Sequence, residues 1–177
     1  MKTLCVVDLQ QQYMLKSYHW YYQVIKNCQI VIERAIQKSY PIVLVEFDGA
    51  GQTIEPINSL LKNYNKLFRM TKFGRSGAFE INSTIIENYL PTELEIVGVN
   101  YHQCIVATVA DLLKNNEDLF ITVYKNASNS RMFRHEKRQW TYIHDNPKLR
   151  IRNVRSTKVS TTIRRLGSGT TGIVEQV

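Results

Sequence analysis

Residues 94–108 are LEIVGVNYHQCIVAT, and this stretch predicts a strand that leads directly into a helix. Its first half is apolar and rich in β-branched residues, which is typical of a buried strand. From residue 105 onward the apolar residues recur at the spacing of one helix face, at positions 105, 106, 109, 112 and 113. Strands that alternate with helices along a chain indicate an α/β fold.

Cys104 lies where the predicted strand passes into the predicted helix. A cysteine in the first turn of a helix is close to unpaired backbone N–H groups and to the positive end of the helix dipole, which both favour the thiolate. The same N–H groups can stabilise a negatively charged oxygen. Two interpretations follow: Cys104 is a nucleophile, or it is a small buried core residue, as many free cysteines are.

The alternation of strands and helices continues along the whole chain. Further strands are predicted at 3–7, 41–47, 66–70, 119–124 and 149–154, and further helices at 17–35 (capped by Ser17), 54–61, 82–89 and around 134–143, with a polar loop at 125–130. Right-handed crossovers between such strands predict a three-layer α/β/α, Rossmann-like fold with a six-stranded, mainly parallel sheet. We assign residues 1–154 to one domain and residues 155–177 to a basic extension or edge segment.

The carboxyl ends of the predicted strands indicate where a site would form. In doubly wound sheets, ligands bind outside these ends. The residues that lie there in this sequence are Asp8, Asp48, Lys72 and Cys104.

Composition excludes several classes of protein. The chain has 177 residues, of which 44% are hydrophobic, and this suits one domain with a sizeable core. It contains no apolar run long enough for a membrane span and no signal-peptide pattern, so we expect a cytoplasmic protein without a membrane partner. The three cysteines include no CxxC pair, which argues against a disulfide framework and against a thiolate zinc site.

The net charge of +8 is concentrated near the C-terminus. Residues 1–130 contain twelve basic and twelve acidic residues, whereas residues 131–165 contain eleven basic residues against Glu136 and Asp145. The basic segment favours, in this order, a solvated face or subunit interface, attraction of an anionic substrate by Arg131 or Arg134, and binding of nucleic acid. In the last case the phosphate contacts would come from Arg150, Arg152, Arg155, Lys158, Arg164 and Arg165.

Three blocks of the sequence carry a family resemblance. They are VVDLQ at 6–10, Lys72 followed by SGAF at 76–79, and VGV at 97–99 followed by CIVAT at 104–108. In order and spacing, over roughly residues 1–154, they resemble the isochorismatase-like cysteine hydrolases, which include the nicotinamidases. The resemblance implies a catalytic triad of Asp8, Lys72 and Cys104, a cis peptide bond between Val99 and Asn100, and a homo-oligomer.

The residue types of this triad have a coherent chemistry. Asp8 can accept the thiol proton, and Lys72 can stabilise both the carboxylate and the thiolate, so that Cys104 attacks a carbonyl carbon. The backbone N–H groups of Asn100 and Cys104 would form the oxyanion hole. The predicted activity is metal-independent hydrolysis of an amide, carbamoyl or ureido C–N bond of a small molecule, through an acyl-thioester and without a cofactor.

The sequence also departs from the family pattern. Nicotinamidases bind a metal with an aspartate and two histidines after the second strand; Asp48 matches the aspartate, but residues 49–56 contain no histidine, so no metal site is expected. Tyr101 and Gly77 replace a smaller hydroxyl residue and a serine. The side chains expected to line the pocket are Phe73, Arg75, Phe79 and Tyr101.

Other interpretations stay open at this point. His102 is either an alternative base for the thiol or part of the pocket wall. The whole protein is either a hydrolase of the kind described, a non-catalytic binding or scaffold protein on the same fold, or a nicotinamidase or isochorismatase proper.

Overall fold

The six predicted strands form one parallel sheet in the computed structural model, which describes residues 1–16, 19–129 and 140–155. The strands are β1 (Lys2–Val7), β2 (Ile42–Phe47), β3 (Leu67–Lys72), β4 (Glu93–Val99), β5 (Phe120–Asn129) and β6 (Leu149–Arg152). Their order across the sheet is β3-β2-β1-β4-β5-β6, and every neighbouring pair is parallel. The predicted Rossmann-like fold is confirmed.

Short helices connect the strands. They are α1 (Tyr21–Gln37), α2 (Ile57–Leu61), α3 (Ala78–Ile81), α4 (Glu87–Tyr89) and α5 (Val106–Asn115). A π-helical segment, Asn82–Ile86, joins α3 to α4, and another, Tyr101–Ile105, leads into α5. The predicted cap Ser17 lies outside the described residues, as does most of the helix predicted around 134–143.

Apolar residues are buried on both faces of the sheet. On β1, Leu4 and Val6 pack with α1 and α2, while Cys5 and Val7 pack with α3 and α5, and all four are 0% exposed. A strand that is covered on both sides is expected to be apolar throughout, which explains the continuous run in the sequence. Among the described residues, no helix has the length and apolar character needed to cross a membrane.

The strand order creates a crevice at the carboxyl ends of β1 and β4. The chain moves outward from β1 to β2 and β3, and then returns past β1 to β4, so connections leave these two neighbours in opposite directions. The two ends lie very close together: a Cβ atom on Gly98 would be 2.0 Å from the carbonyl oxygen of Val7. Gly98 also has a φ of +130°, which only glycine adopts readily.

The prediction of a loop at 125–130 is wrong for most of these residues, because β5 continues to Asn129. One of its polar side chains, Asn126, is hydrogen-bonded to the chain that follows β6. The amide of Asn126 accepts a hydrogen bond from the Val154 N–H (2.6 Å) and donates one to the Val154 carbonyl (3.1 Å). Asn126 therefore fixes the chain that follows β6.

Candidate active site

Three polar side chains that are far apart in the sequence meet at the carboxyl end of the sheet. Asp8 directly follows β1, Lys72 is the last residue of β3, and Cys104 lies in the π-helical segment after β4. The Lys72 Nζ atom is 3.0 Å from the Asp8 Oδ2 atom, and both side chains are 0% exposed. Cys104 is 6% exposed and lies beside them.

Backbone oxygens complete the surroundings of the Lys72 ammonium group. Its Nζ atom donates hydrogen bonds to the carbonyl oxygens of Gly74 (3.0 Å) and Arg75 (3.1 Å). With the Asp8 carboxylate, this gives the ammonium group three oxygen neighbours, as a buried cation requires. The loop after β3 thus folds back over Lys72 and contributes main-chain atoms to the site.

Burial sets the protonation of the carboxyl and the thiol. It raises the pKa of Asp8, while Lys72 and a hydrogen bond from Cys104 act in the opposite direction. Burial also raises the pKa of Cys104 to about 11, and Asp8 adds to that effect, whereas Lys72 and the Asn100 backbone N–H oppose it. At neutral pH the resting protein therefore contains a thiol next to a carboxyl group whose proton affinity is increased.

The effect of the helix terminus, which favours a thiolate, is therefore not the dominant influence on the Cys104 pKa. A helix terminus favours a thiolate when the sulfur is partly exposed, but here burial and the adjacent carboxylate outweigh the backbone N–H groups. The arrangement suits a proton transfer from sulfur to carboxylate during attack on a substrate.

The turn that carries Cys104 has an unusual backbone. The Val99–Asn100 peptide bond, which the family resemblance implies to be cis, is cis in the structure. The Asn100 carbonyl oxygen accepts hydrogen bonds from the N–H groups of Gln103 (3.0 Å) and Ile105 (3.1 Å). The Asn100 N–H lies close enough to the Cys104 sulfur to stabilise its negative charge.

Two aromatic residues, which the sequence did not reveal as part of the site, border it. Burial raises the pKa of Tyr13, and the charges of Asp8 and Cys104 raise it further, which places the phenol close to both groups. The ring of Phe47 lies edge-on to Tyr13 (6.5 Å between centroids) and 5.2 Å from the Lys72 Nζ atom. Phe47 ends β2, so the strand-end rule that selected Asp48 could have found it; Tyr13 carries no comparable signal.

The four predicted pocket residues do not form one wall. Phe73 and Phe79 are 77% and 79% exposed, and the Arg75 side chain is exposed as well. Tyr101 is buried and stacks on Trp140, with 4.6 Å between the ring centroids. Together with His102 it lines a separate cavity of about 370 Å³, so its side chain and those on the loop after β3 lie in different places.

Side-chain hydrogen bonds organise the loop after β2, where the sequence lacks the histidines of a metal site. The buried Gln10 amide donates to the carbonyl oxygens of Phe47 (2.9 Å) and Gly51 (2.6 Å), and accepts from the Phe47 N–H (2.7 Å). The Glu46 carboxylate accepts from the N–H (2.9 Å) and hydroxyl (2.6 Å) of Thr53. Within residues 1–16, 19–129 and 140–155, no group of three or more His, Cys, Asp or Glu side chains could hold a metal ion.

Comparisons with known proteins identify the fold. No family model matches the sequence, and a search of curated proteins gave no significant match. Solved structures do match: a ribonuclease from Caenorhabditis elegans has a TM-score of 0.73 and 19% identity, over 86% of this chain and 77% of that one. An isochorismatase from Pseudomonas putida has a TM-score of 0.70 and 18% identity, over 86% of this chain and 88% of that one.

An N-carbamoylsarcosine amidase from Thermoplasma acidophilum is also similar, with a TM-score of 0.71 and 16% identity over 89% of this chain and 98% of that one. The chain has the isochorismatase-like fold. The similar structures are named as a ribonuclease, an isochorismatase and an amidase. Because one fold hosts several reactions, the activity of this chain has to be argued from its own site.

Proposed function

We propose that the protein is a cysteine hydrolase that cleaves a C–N bond of a small amide, carbamoyl or ureido compound. The observation that carries this proposal is the fully buried Lys72–Asp8 pair, 3.0 Å apart, beside the nearly buried thiol of Cys104. Burying two charges is unfavourable unless they are well paired, and such groups with shifted pKa values are typical of reactive sites.

In the first half of the reaction the Cys104 sulfur forms a bond to the substrate carbonyl carbon. The thiol proton passes to the Asp8 carboxylate, whose raised pKa makes it a stronger base than an exposed aspartate. The carbonyl oxygen becomes an oxyanion, which accepts hydrogen bonds from the backbone N–H groups of Asn100 and Cys104. The tetrahedral intermediate collapses when Asp8 returns the proton to the nitrogen, and the amine leaves.

In the second half, water releases the acyl group. Asp8 accepts a proton from the water molecule while the water oxygen attacks the thioester carbonyl carbon. The proton then passes from Asp8 to the Cys104 sulfur as the C–S bond breaks. Lys72 keeps its positive charge throughout and stabilises whichever of Asp8 or Cys104 is anionic. These steps use only groups of the chain and water.

The surroundings of the triad limit the substrate. Tyr13 and Phe47 place aromatic rings beside Asp8 and Lys72, so we expect a planar or apolar acyl group. The similar Thermoplasma enzyme is by name an amidase of an N-carbamoyl compound, which supports carbamoyl and ureido compounds as candidates. Phe73, Arg75 and Phe79 stay predicted pocket residues, whereas Tyr101 lines the separate cavity. A homo-oligomer in the cytoplasm stays the predicted state of the protein.

The decisive experiment is to trap the acyl-enzyme. The protein is incubated with a panel of small amides, carbamates and ureas, quenched with acid, and its intact mass is measured. We expect an acyl adduct on Cys104 and turnover of the same compound, both abolished in Cys104→Ser. Cys28→Ser is the matched control, because Cys28 is buried and only donates a hydrogen bond to the Ala127 carbonyl (3.1 Å). Turnover that survives in Cys104→Ser would contradict the proposal.

The scaffold interpretation predicts a different pH dependence. If Asp8 activates Cys104 during catalysis, hydrolysis increases as pH rises through the Asp8 pKa and not through the Cys104 thiol pKa of about 11. Alkylation of Cys104 by iodoacetamide should instead keep increasing up to the thiol pKa. If alkylation of Cys104 is slow at neutral pH and none of the compounds in the panel is hydrolysed, the scaffold interpretation is correct.

A further inference from the structure

A basic cleft lies on the α1 side of the sheet, away from the triad. It has a volume of about 810 Å³ and lies beside β5 and β6, at residues Arg34, Tyr124, Arg152, Asn153, Val154 and Arg155. Arg152 and Arg155 are exposed, whereas the Arg34 side chain is 35% exposed. The cleft is thus open to solvent on the side where three guanidinium groups gather.

The acidic residues on this face already have partners. Glu95 accepts a hydrogen bond from Arg34 Nη2 (2.6 Å), and Glu93 forms an ion pair with Lys2 (2.8 Å). Despite burial, Lys2 and more weakly Arg150 hold the pKa of Glu93 below its usual value. These two carboxylates balance Lys2 and Arg34, so the charges of Arg150, Arg152 and Arg155 remain in excess.

Arg34 is held in position for binding. Its Nη2 atom also donates to the Tyr124 hydroxyl (2.8 Å), and its guanidinium group lies 5.1 Å from the centre of the Tyr124 ring. Its remaining N–H donors are available to a ligand, and their orientation needs little further ordering. The planar donor arrangement of arginine suits phosphate oxygens.

The arginines on β6 are arranged in a row. Arg150 and Arg152 are both exposed and, being two residues apart, lie on the same face of the strand, at a spacing of about 7 Å. This resembles the distance between successive phosphates of one nucleic acid strand. Arg155 continues the row beyond the end of the strand.

A second cavity adjoins the cleft and has a different character. It is the cavity of about 370 Å³ described above, which shares Asn153 with the cleft and combines the aromatic residues Trp20 and Tyr101 with polar ones such as Gln23 and Lys125. A charged cleft beside a cavity with aromatic and hydrogen-bonding side chains matches a nucleotide, whose phosphate is charged and whose base is flat and has polar edges. An acidic peptide or an anionic membrane would use the arginines but not the aromatic cavity.

We propose that the cleft and this cavity bind a single-stranded nucleic acid, with its phosphates along the row of unbalanced charges Arg150, Arg152 and Arg155 and with Arg34 as a neighbouring hydrogen-bond donor. The excess of basic residues after residue 130 agrees with such a partner, since phosphate contacts dominate the affinity of nucleic acid complexes. The proposal is independent of the hydrolase reaction, because none of these arginines belongs to the triad.

The test is binding of a fluorescently labelled, mixed-sequence RNA oligonucleotide to the full chain, followed by anisotropy between 50 and 200 mM salt. Three phosphate contacts predict a slope of about −2 in a plot of log K against log salt concentration. The Arg152→Ala/Arg155→Ala variant should bind at least about tenfold more weakly at low salt, with a slope of about −0.7. Both side chains are exposed, so the variant is expected to fold, and circular dichroism checks this.

The matched control is Lys62→Ala/Lys114→Ala, which removes the same charge from exposed positions that do not line the cleft. It should bind RNA within about twofold of the unmodified protein. Equal losses in both variants, or an unchanged slope in Arg152→Ala/Arg155→Ala, would overturn the proposal, since the binding would then reflect net charge or another segment. Tighter binding to anionic lipid vesicles or to polyglutamate than to RNA at the same salt would overturn it as well.

Discussion

Each of the two edges of the sheet, at the amino ends and at the carboxyl ends of its strands, carries a lysine–carboxylate pair, and the pairs behave in opposite ways. At the amino ends, Lys2 and Glu93 are 2.8 Å apart with side chains 41% and 16% exposed. At the carboxyl ends, Lys72 reaches Asp8 over 3.0 Å, and both side chains are fully buried. The pKa of Glu93 is lowered, whereas the pKa of Asp8 is raised.

Both carboxylates have a lysine beside them, so the extent of burial decides whether the carboxyl pKa is raised or lowered. Both carboxylates lose solvation and both gain an adjacent ammonium group, but only for Asp8 is the loss the larger effect. The exposed pair therefore contributes to stability. The buried pair holds a carboxylate that binds a proton readily, which is useful for chemistry and unfavourable for folding.

The largest expected difference between the pairs is in activity. Asp8→Asn should lower kcat/KM by a factor on the order of 10² to 10⁴, because the base that accepts the thiol proton is lost. Glu93→Gln should leave kcat/KM unchanged, and steady-state kinetics on the substrate identified by acyl trapping compares the two. At neutral pH, Asp8→Asn should lower the free energy of unfolding by about 3–5 kcal/mol, because it leaves the buried Lys72 ammonium group without its carboxylate partner, whereas Glu93→Gln should cost about 1 kcal/mol or less. Equal losses in the two variants would contradict the contrast drawn above.

Removing the lysines should affect stability to different extents. Lys72→Met leaves a buried carboxylate without its cation, which should lower the free energy of unfolding by about 3–5 kcal/mol when Asp8 is ionised. Lys2→Met breaks a partly exposed pair and should cost about 1 kcal/mol or less. Urea denaturation at neutral pH measures both, and equal losses would mean that the two environments do not differ in the way described.

The pH dependence of stability should also have opposite signs. Asp8 has a raised folded pKa, so its contribution is fully present below its ordinary pKa of 3.8 and is lost as pH rises through the raised value. Glu93 has a lowered folded pKa, so its contribution is present above 4.5 and is lost as pH falls through the lowered value. The stability differences from Asp8→Asn and from Glu93→Gln should therefore change in opposite directions between pH 3 and 8, and parallel curves would refute this.

The sequence predicted those parts of the site that follow from topology. Asp8, Lys72 and Cys104 each follow or end a predicted strand, and parallel strands bring such positions to one edge. Protonation was predicted less well, because the state of Cys104 depends on burial that only the folded chain produces. The same holds for Tyr13, whose position beside Asp8 is created by the fold of the loop after β1.

Polar composition was the other source of error. Residues 125–129 have the composition of a loop, yet Asn126 uses its amide to bind the backbone at Val154, so the strand continues. A polar side chain can lie in a strand when another part of the folded chain hydrogen-bonds to it. For Asn126 that partner is 28 residues away in the sequence. Local patterns do not contain this information.

The carbonyl oxygens that surround Lys72 have a consequence for how the protein can change. Gly74 and Arg75 bind the ammonium group through their carbonyl oxygens. These hydrogen bonds therefore do not depend on which side chains the loop carries. Phe73 and Arg75 in the loop after β3 and Phe79 in α3 are exposed, so substitutions there leave the buried side chains of the site in place. The three exposed positions are therefore the place to randomise in a library that tests substrate selection, because substitutions there leave the buried Lys72–Asp8 pair intact.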